Sequence, residues 1–244
     1  MNILITNDDG IFAPGIAALV RAFSAAGHTV TVCAPDSQRS AASQALTINR
    51  PICVKKVAFE GAAAAFAIGG TPADCVKLGL AKLCPEAEAV ISGVNKGFNT
   101  GTDILYSGTV GAALEGAING RLAMAVSRPH TGEDYDSAAQ LAAALFAELE
   151  KDPIPAGCVL NLNYPAGELR GVKRAEMGYL HYDEVYAPGT LEDGTEAYTL
   201  CGVVKEGIAQ SEDYALLLEG YATVSVLNFG MTDRVQTQSL KFCE

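Results

Sequence analysis

The sequence predicts an α/β fold in which a parallel sheet is covered by helices on both faces. Three observations predict it. Over the first two-thirds of the chain, short apolar segments of strand length alternate with segments whose apolar residues recur at helical spacing. Several helical segments carry start or stop signals, a proline or small polar residue at the front or a glycine at the end. Polar loops follow the strands, at the edge where open parallel sheets bind their ligands.

The elements follow in order. "NILIT" at residues 2–6 is a short buried strand, and "PGIAALVRAFSAAG" is a helix opened by Pro14 and closed by Gly27. "HTVTVCAP" is a second strand. "TPADCVKLGLAKL" is a helix with Thr71 as N-cap and Pro72 at its first position. "EAVISGV", "GTVGAALEGAING", "LAMAVSR", "DYDSAAQLAAALFAELEK" and "GCVLNLNYP" continue the alternation as strand, helix, strand, helix and strand. From about Gly171 the texture changes: "MGYLHYDEVYAPGTLEDGTEAYTLCGVV" is rich in tyrosine, glycine and acids and reads as hairpins or extended arms. "SEDYALLLEG" reads as a short helix capped by Ser211, and "YATVSVLNF" as a strand. No linker, repeat or low-complexity tract divides the chain. Residues 1–244 are expected to form one domain, with a core over about 1–165 and an extended C-terminal region over about 166–244.

Composition narrows the function. The 244 residues are 49% hydrophobic and carry a formal net charge of −11, with no tryptophan. An acidic, aromatic-poor surface gains little from a phosphate backbone, so a nucleic-acid partner is not expected. No apolar run approaches the ~18 residues a membrane helix needs, and Asp8 interrupts the first apolar run, so neither a membrane span nor a secretory signal is expected. Seven scattered cysteines with no C-x-x-C pair suit reduced, mostly buried thiols and a cytoplasmic location.

Chemistry concentrates in three loops. Asp8 and Asp9 follow the first strand directly. An Asp-Asp-Gly sequence is often only a turn or a helix cap. At a sheet's ligand edge, however, adjacent carboxylates disfavour each other's charge unless a cation lies between them, and a hard divalent ion favours oxygen ligands. Two anions in this turn would repel the pyrophosphate of a dinucleotide, which needs a glycine-rich turn instead. An aspartyl-phosphate phosphatase would need Asp where Asn7 stands. "APDSQRSAASQALT" places Ser40 after Arg39 in the second loop, where its hydroxyl is an available neutral oxygen ligand. "ISGVNKGFNTGTDILYSGTVGAALEG" gathers Asn95, Asn99, Asp103, Ser107 and Thr109 among glycines. Ser107, Gly108 and Thr109 open an alanine-rich helix, whose free N–H groups and dipole make an anion site; a plain N-cap explains the same residues. His28, His130 and His181 are poor catalytic candidates, and Cys75 reads as helix packing.

In this order "ITNDDG", "APD…RSAAS…LT", "GTPADCV" and "SGVN.G.N.G.D..YSGTVGAALEG" resemble the SurE (stationary-phase survival protein) family, over residues 2 to about 128, with weaker echoes in "LNLNYP" and "GYATVSVL". The resemblance implies a Rossmann-like α/β domain with a protruding C-terminal hairpin or arm region exchanged between subunits of a homodimer or homotetramer. It implies a metal-dependent 5'-nucleotidase acting on nucleoside monophosphates. It carries the metal ligands onto Asp8, Asp9, Ser40 and Asn95, with Asp8 and Asn95 catalytic, and the phosphate onto Asn95, Asn99, Ser107, Gly108 and Thr109. The expected cofactor is one divalent cation, Mg²⁺ or Mn²⁺, with Arg39 or Lys96 adding positive charge. The chain departs from the family in its C-terminal third, where "AYTLCG" and "GYATVSVL" stand and tryptophan is lacking; these changes touch the substrate rim and subunit contacts rather than the metal ligands. A competing expectation is a nucleotide sensor that binds without turnover.

Overall fold

The computed structural model describes residues 1–205 and 212–239. The first half runs β1 (Asn2–Thr6), α1 (Pro14–Ala25), β2 (Thr29–Pro35), β3 (Val54–Lys56), β4 (Ala64–Ile68), α2 (Pro72–Leu78), β5 (Ala89–Lys96) and α3 (Gly108–Ile118). The second runs β6 (Leu122–Arg128), α4 (Asp136–Lys151), β7 (Cys158–Asn163), β8 (Val172–Arg174), β9 (Tyr182–Thr190), β10 (Glu196–Val204), α5 (Glu212–Leu218), β11 (Ala222–Asn228) and α6 (Arg234–Gln238). The expected cap of α5 at Ser211 lies outside the described residues.

The main sheet has nine strands in the order β3-β4-β2-β1-β5-β6-β7-β11-β8. Most neighbours are parallel, as the strand–helix alternation predicts, but β3 runs antiparallel to β4 and β11 antiparallel to β7. Period-two alternation sorts each strand's side chains onto two buried faces. Ile3 and Ile5 of β1 pack with Phe23 of α1 and Phe146 of α4. Leu4, between them, points the other way, to Cys75 and Val76 of α2. Farther along that face, Val110 and Ala113 of α3 pack with Ala123 of β6 and Val159 of β7. The result is three layers, with α1 and α4 on one side and α2 and α3 on the other.

Glycines set how closely the layers approach. A Cβ on Gly116 would lie 2.6 Å from Cβ of Val90, so α3 can sit this low on β5 only with glycine there. The helix expected over residues 71–83 is α2 followed by a π-turn, Gly79–Leu83. Thr71 caps it as expected, in a reciprocal capping box with Asp74, and Pro72 follows. The tyrosine-rich segment forms a two-stranded ladder of β9 and β10, separate from the main sheet. Tyr182 at its root is hydrogen-bonded to the Asp103 carboxylate.

Candidate active site

The tip of β1 turns because of Asn7. This side chain is fully buried, and its amide brackets Gly10: Nδ2 donates to the Gly10 carbonyl at 2.9 Å, and Oδ1 accepts the Gly10 N–H at 3.2 Å. Gly10 takes φ +101°, a left-handed conformation that glycine adopts without penalty. The turn needs one donor and one acceptor on the same side chain, which Asn supplies and ionised Asp does not.

Asp8, 6% exposed, faces the start of α3. Thr109 Oγ1 donates to Asp8 Oδ1 at 2.6 Å, and the Thr109 main-chain N–H also bonds the carboxylate. A Cβ on Gly108 would lie 3.0 Å from Cβ of Asp8, so glycine is what lets the helix come this near. Ser107 caps α3, its hydroxyl accepting the Val110 N–H at 3.1 Å. Burial pushes the Asp8 pKa up to about 6; the Thr109 bonds oppose that, and the neighbouring Asp9 charge adds to it. Asp9, half-buried, accepts the Lys96 N–H at 3.2 Å from the end of β5. Burial raises its pKa too, against the lowering effects of Lys96 and His130.

The second loop is clamped to the first by its backbone, Arg39 N–H to Asp8 carbonyl at 2.7 Å. Ser40 follows, exposed, its hydroxyl accepting from Gln38 Nε2 at 2.9 Å. The Arg39 guanidinium pairs instead with Asp36 at 3.3 Å. Asn95 is aimed by an irregularity in β5, where the pairing with β6 slips between Ser92 and Asn95. Gly93, at φ +136°, makes this possible, since a Cβ there would lie 2.2 Å from the Val126 carbonyl oxygen. Asn95 Nδ2 donates to the Gly97 carbonyl at 2.9 Å.

Asn99 points inward. Its Nδ2 donates to Ser127 Oγ at 2.8 Å, its N–H to Asn163 Oδ1 at 2.8 Å, and its carbonyl accepts from Asn161 Nδ2 and Asn163 Nδ2 at 3.0 and 2.9 Å. Asp213, fully buried at the start of α5, accepts the Gly101 N–H at 2.9 Å. Ser127, Asn161, Asn163 and Asp213 fasten the 97–105 loop, and the functional reading of the sequence missed these four. One signal was available: Asn161 and Asn163 are alternate polar residues on a strand buried on both faces, and such groups need partners.

His28 packs between Phe23 and Phe146, and His181 against Tyr179. Cys75 is buried, and burial pushes its thiol far up, as expected of a packing residue. His130 stands closer to the chemistry than the sequence suggests, lining with Asp9, Gln38, Lys96 and Glu133 an open cleft of about 520 Å³.

The residues fit a divalent cation. Among the described residues no ion pair reaches Asp8 or Asp9, although both carboxyls are raised by burial and stand side by side. No group of three or more His, Cys, Asp or Glu placed to hold a metal ion occurs among the described residues, so a cation here would rely on two carboxylates completed by neutral oxygens, which Ser40 and Asn95 carry. An all-oxygen set of this kind suits Mg²⁺ or Mn²⁺ rather than a thiophilic metal.

The profile of the family described as "Survival protein SurE" matches residues 3–184. The chain is 44% identical over 242 residues to a protein of Nitratidesulfovibrio vulgaris named "5'-nucleotidase SurE", covering 96% of this chain and 95% of that protein. A protein of the same name from Clostridium beijerinckii is 41% identical over 241 residues, with the same coverage. The crystal structure of the SurE protein of Aquifex aeolicus superposes with a TM-score of 0.85 at 32% identity, covering 99% of each chain.

Proposed function

The chain belongs to the SurE family, and from that premise we propose that it is a 5'-nucleotidase, hydrolysing the phosphomonoester of nucleoside 5'-monophosphates to nucleoside and phosphate. The observation that carries this reading is the direct meeting of the buried Asp8 carboxylate with a helix N-terminus, at Gly108 and Thr109, with Asp9 next to it in the chain.

One divalent cation, Mg²⁺ or Mn²⁺, would be held by Asp8, Asp9, Ser40 and Asn95. Bound there, it would supply Lewis-acid polarisation of a phosphoryl oxygen and a lowered pKa for bound water, together worth several kcal/mol. The chain's own residues do the rest. Thr109 orients Asp8 by hydroxyl and N–H, and the Asn7 bracket holds the turn that presents both acids. Two carboxylates balance a 2+ ion, so a phosphate dianion needs further positive potential. The start of α3 supplies it through the helix dipole and the Gly108 N–H, between Ser107 and Thr109, whose own N–H groups bond the Ile104 carbonyl and Asp8. Asn95 and Asn99 are assigned to the same phosphate, although the Asn99 side chain, N–H and carbonyl all bond inward to Ser127, Asn161 and Asn163, and the Lys96 ammonium adds charge at the rim of the cleft. Preorganised donors of this type stabilise phosphoryl-transfer charge without covalent chemistry.

The protein is further proposed to act in the cytoplasm as one domain, core about 1–165, whose C-terminal region, about 166–244, mediates a homodimer or homotetramer. No helix among the described residues is long and apolar enough to cross a membrane. Phosphate release from AMP tests the activity. Release is expected with Mn²⁺, abolished by EDTA and restored by added Mn²⁺, and Asp8→Asn should abolish it at saturating Mn²⁺. Nucleotide binding without release would make the protein a sensor, and wild-type turnover by Asp8→Asn would remove the assignment of the site.

A further inference from the structure

Ser40 lies between the Arg39 contact to Asp8 and the Thr47 contact to Asp74, in a loop held from outside rather than by regular structure. The residues just after it adopt conformations that L-amino acids rarely take: Ala41 at φ +53° and Ser43 at φ +50°. Such backbone persists only where surroundings over-determine it. Here the surroundings are α3 and the turn before it. Ser43 donates its N–H to the Tyr106 carbonyl at 3.0 Å and its hydroxyl to the Leu105 carbonyl at 2.8 Å. The Ser43 carbonyl lies so close over the helix that a Cβ on Gly111 would be 2.4 Å from its oxygen.

The next residue reaches one turn farther along the helix. Gln44 Nε2 donates to Glu115 Oε2 at 3.2 Å. Glu115 is 3% exposed, a depth at which a carboxylate needs partners. Its other oxygen, Oε1, accepts from Lys77 Nζ at 2.8 Å and from Asn119 Nδ2 at 2.9 Å. One oxygen is therefore neutralised within the helical layer, and the other is turned toward the loop. The same helix holds Asp8 at its start through Thr109, so α3 grips two separate loops of the proposed metal site.

We infer that Glu115 is a positioning residue. Through Gln44 it fixes the loop that presents Ser40, and so sets how tightly the protein holds a divalent cation that Glu115 itself does not touch. The inference rests on the proposed metal site, and its test separates the two.

Mn²⁺ affinity is measured by titration calorimetry, alongside unfolding midpoints and phosphate release from AMP as a function of Mn²⁺, for the wild type, Gln44→Leu, Gln44→Glu, Glu115→Gln and the double variant Q44E/E115Q. Gln44→Leu, at a half-buried loop position, should bind Mn²⁺ about tenfold more weakly, the scale of losing an outer-shell partner. Its unfolding midpoint should stay near that of the wild type, and excess Mn²⁺ should restore its turnover. Gln44→Glu sets two carboxylates together and should weaken Mn²⁺ at least as much. Glu115→Gln loses the charge but lets the Gln44 amide turn and accept from the new NH₂, so it should weaken Mn²⁺ less than either Gln44 variant. The double variant exchanges donor and acceptor across the contact and should recover most of the lost affinity. Wild-type Mn²⁺ affinity in both Gln44 variants would overturn the inference while leaving the metal site standing, and so would a double variant as weak as the weaker single. If Glu115→Gln does not fold, the Gln44 variants decide. A wild type that binds no Mn²⁺ would overturn both the metal site and this inference.

Discussion

At the scale of residues, Asn7 shows how one side chain decides what the strand tip can be. Its amide closes the Gly10 turn from both sides, and without that turn Asp8 and Asp9 lose their common orientation. Asn7→Asp keeps the size and removes the donor. It removes one of the two hydrogen bonds to the Gly10 carbonyl, which keeps the Ala13 N–H at 3.0 Å, and buries a third carboxylate beside Asp8 and Asp9, so it should cost about 1–3 kcal/mol, read from the denaturant midpoint at pH 7. An unchanged midpoint would mean that the bracket does not hold the turn. Asp8, Asp9 and the Ser107–Thr109 helix start were legible in the sequence because those residue types are unusual where they stand: acids at the end of a buried strand, and glycine beside a cap. The Asn161–Asn163 latch on the Asn99 carbonyl was not. Its partners are more than 60 residues apart, and nothing in an isolated Leu-Asn-Leu-Asn pattern names the loop it holds.

At the scale of elements, α2 shows how a cap can also serve a loop. Asp74 accepts the Thr71 N–H at 2.9 Å in the capping box and the Thr47 N–H at 2.9 Å from the returning end of the Ser40 loop. Burial alone would raise its pKa, but the bonds from Thr47 and Thr71 outweigh burial and hold it below the usual carboxylate range. Because the folded value is the lower one, the ionised group's contribution is fully present above the unfolded pKa, about 3.9, and is lost as pH falls through the folded value. Asp74→Asn should therefore unfold about 1 kcal/mol more easily at pH 7, the usual scale of a lost cap. The gap from the wild type should close in thermal melts taken from pH 4 downward, whereas a gap independent of pH would refute the charged cap. Helices α1 to α5 and strands β1, β2, β5, β6 and β7 were legible from periodicity and end signals, whereas the short α6 was not. β4 was not, because "GAAAAF" has poor strand propensity; its register against Thr31–Pro35 of β2 makes it a strand. The antiparallel entry of β11 beside β7 was hidden for a similar reason, since strand order is a property of packing and not of any one segment.

At the scale of the whole molecule, an acidic chain brings loops from β1, β2 and β5 to one edge and sets a helix start beside them, the arrangement proposed above to take an anionic substrate. The expectation that these loops converge is met in two contacts, Arg39 to Asp8 and Lys96 to Asp9. What converges with them from the C-terminal third, Asp213 under Gly101 and Tyr182 on Asp103, was not visible in sequence, because the link runs through space from a hairpin root and a short helix. Asp8 and Asp9 are proposed to tolerate each other because a divalent cation completes them. Anomalous diffraction from crystals soaked in MnCl₂ measures this directly. One manganese peak bonded to oxygens of Asp8 and Asp9 is expected, lost in crystals of Asp8→Asn. Wild-type crystals showing no peak there at saturating Mn²⁺, with both carboxylates turned to solvent, would contradict it.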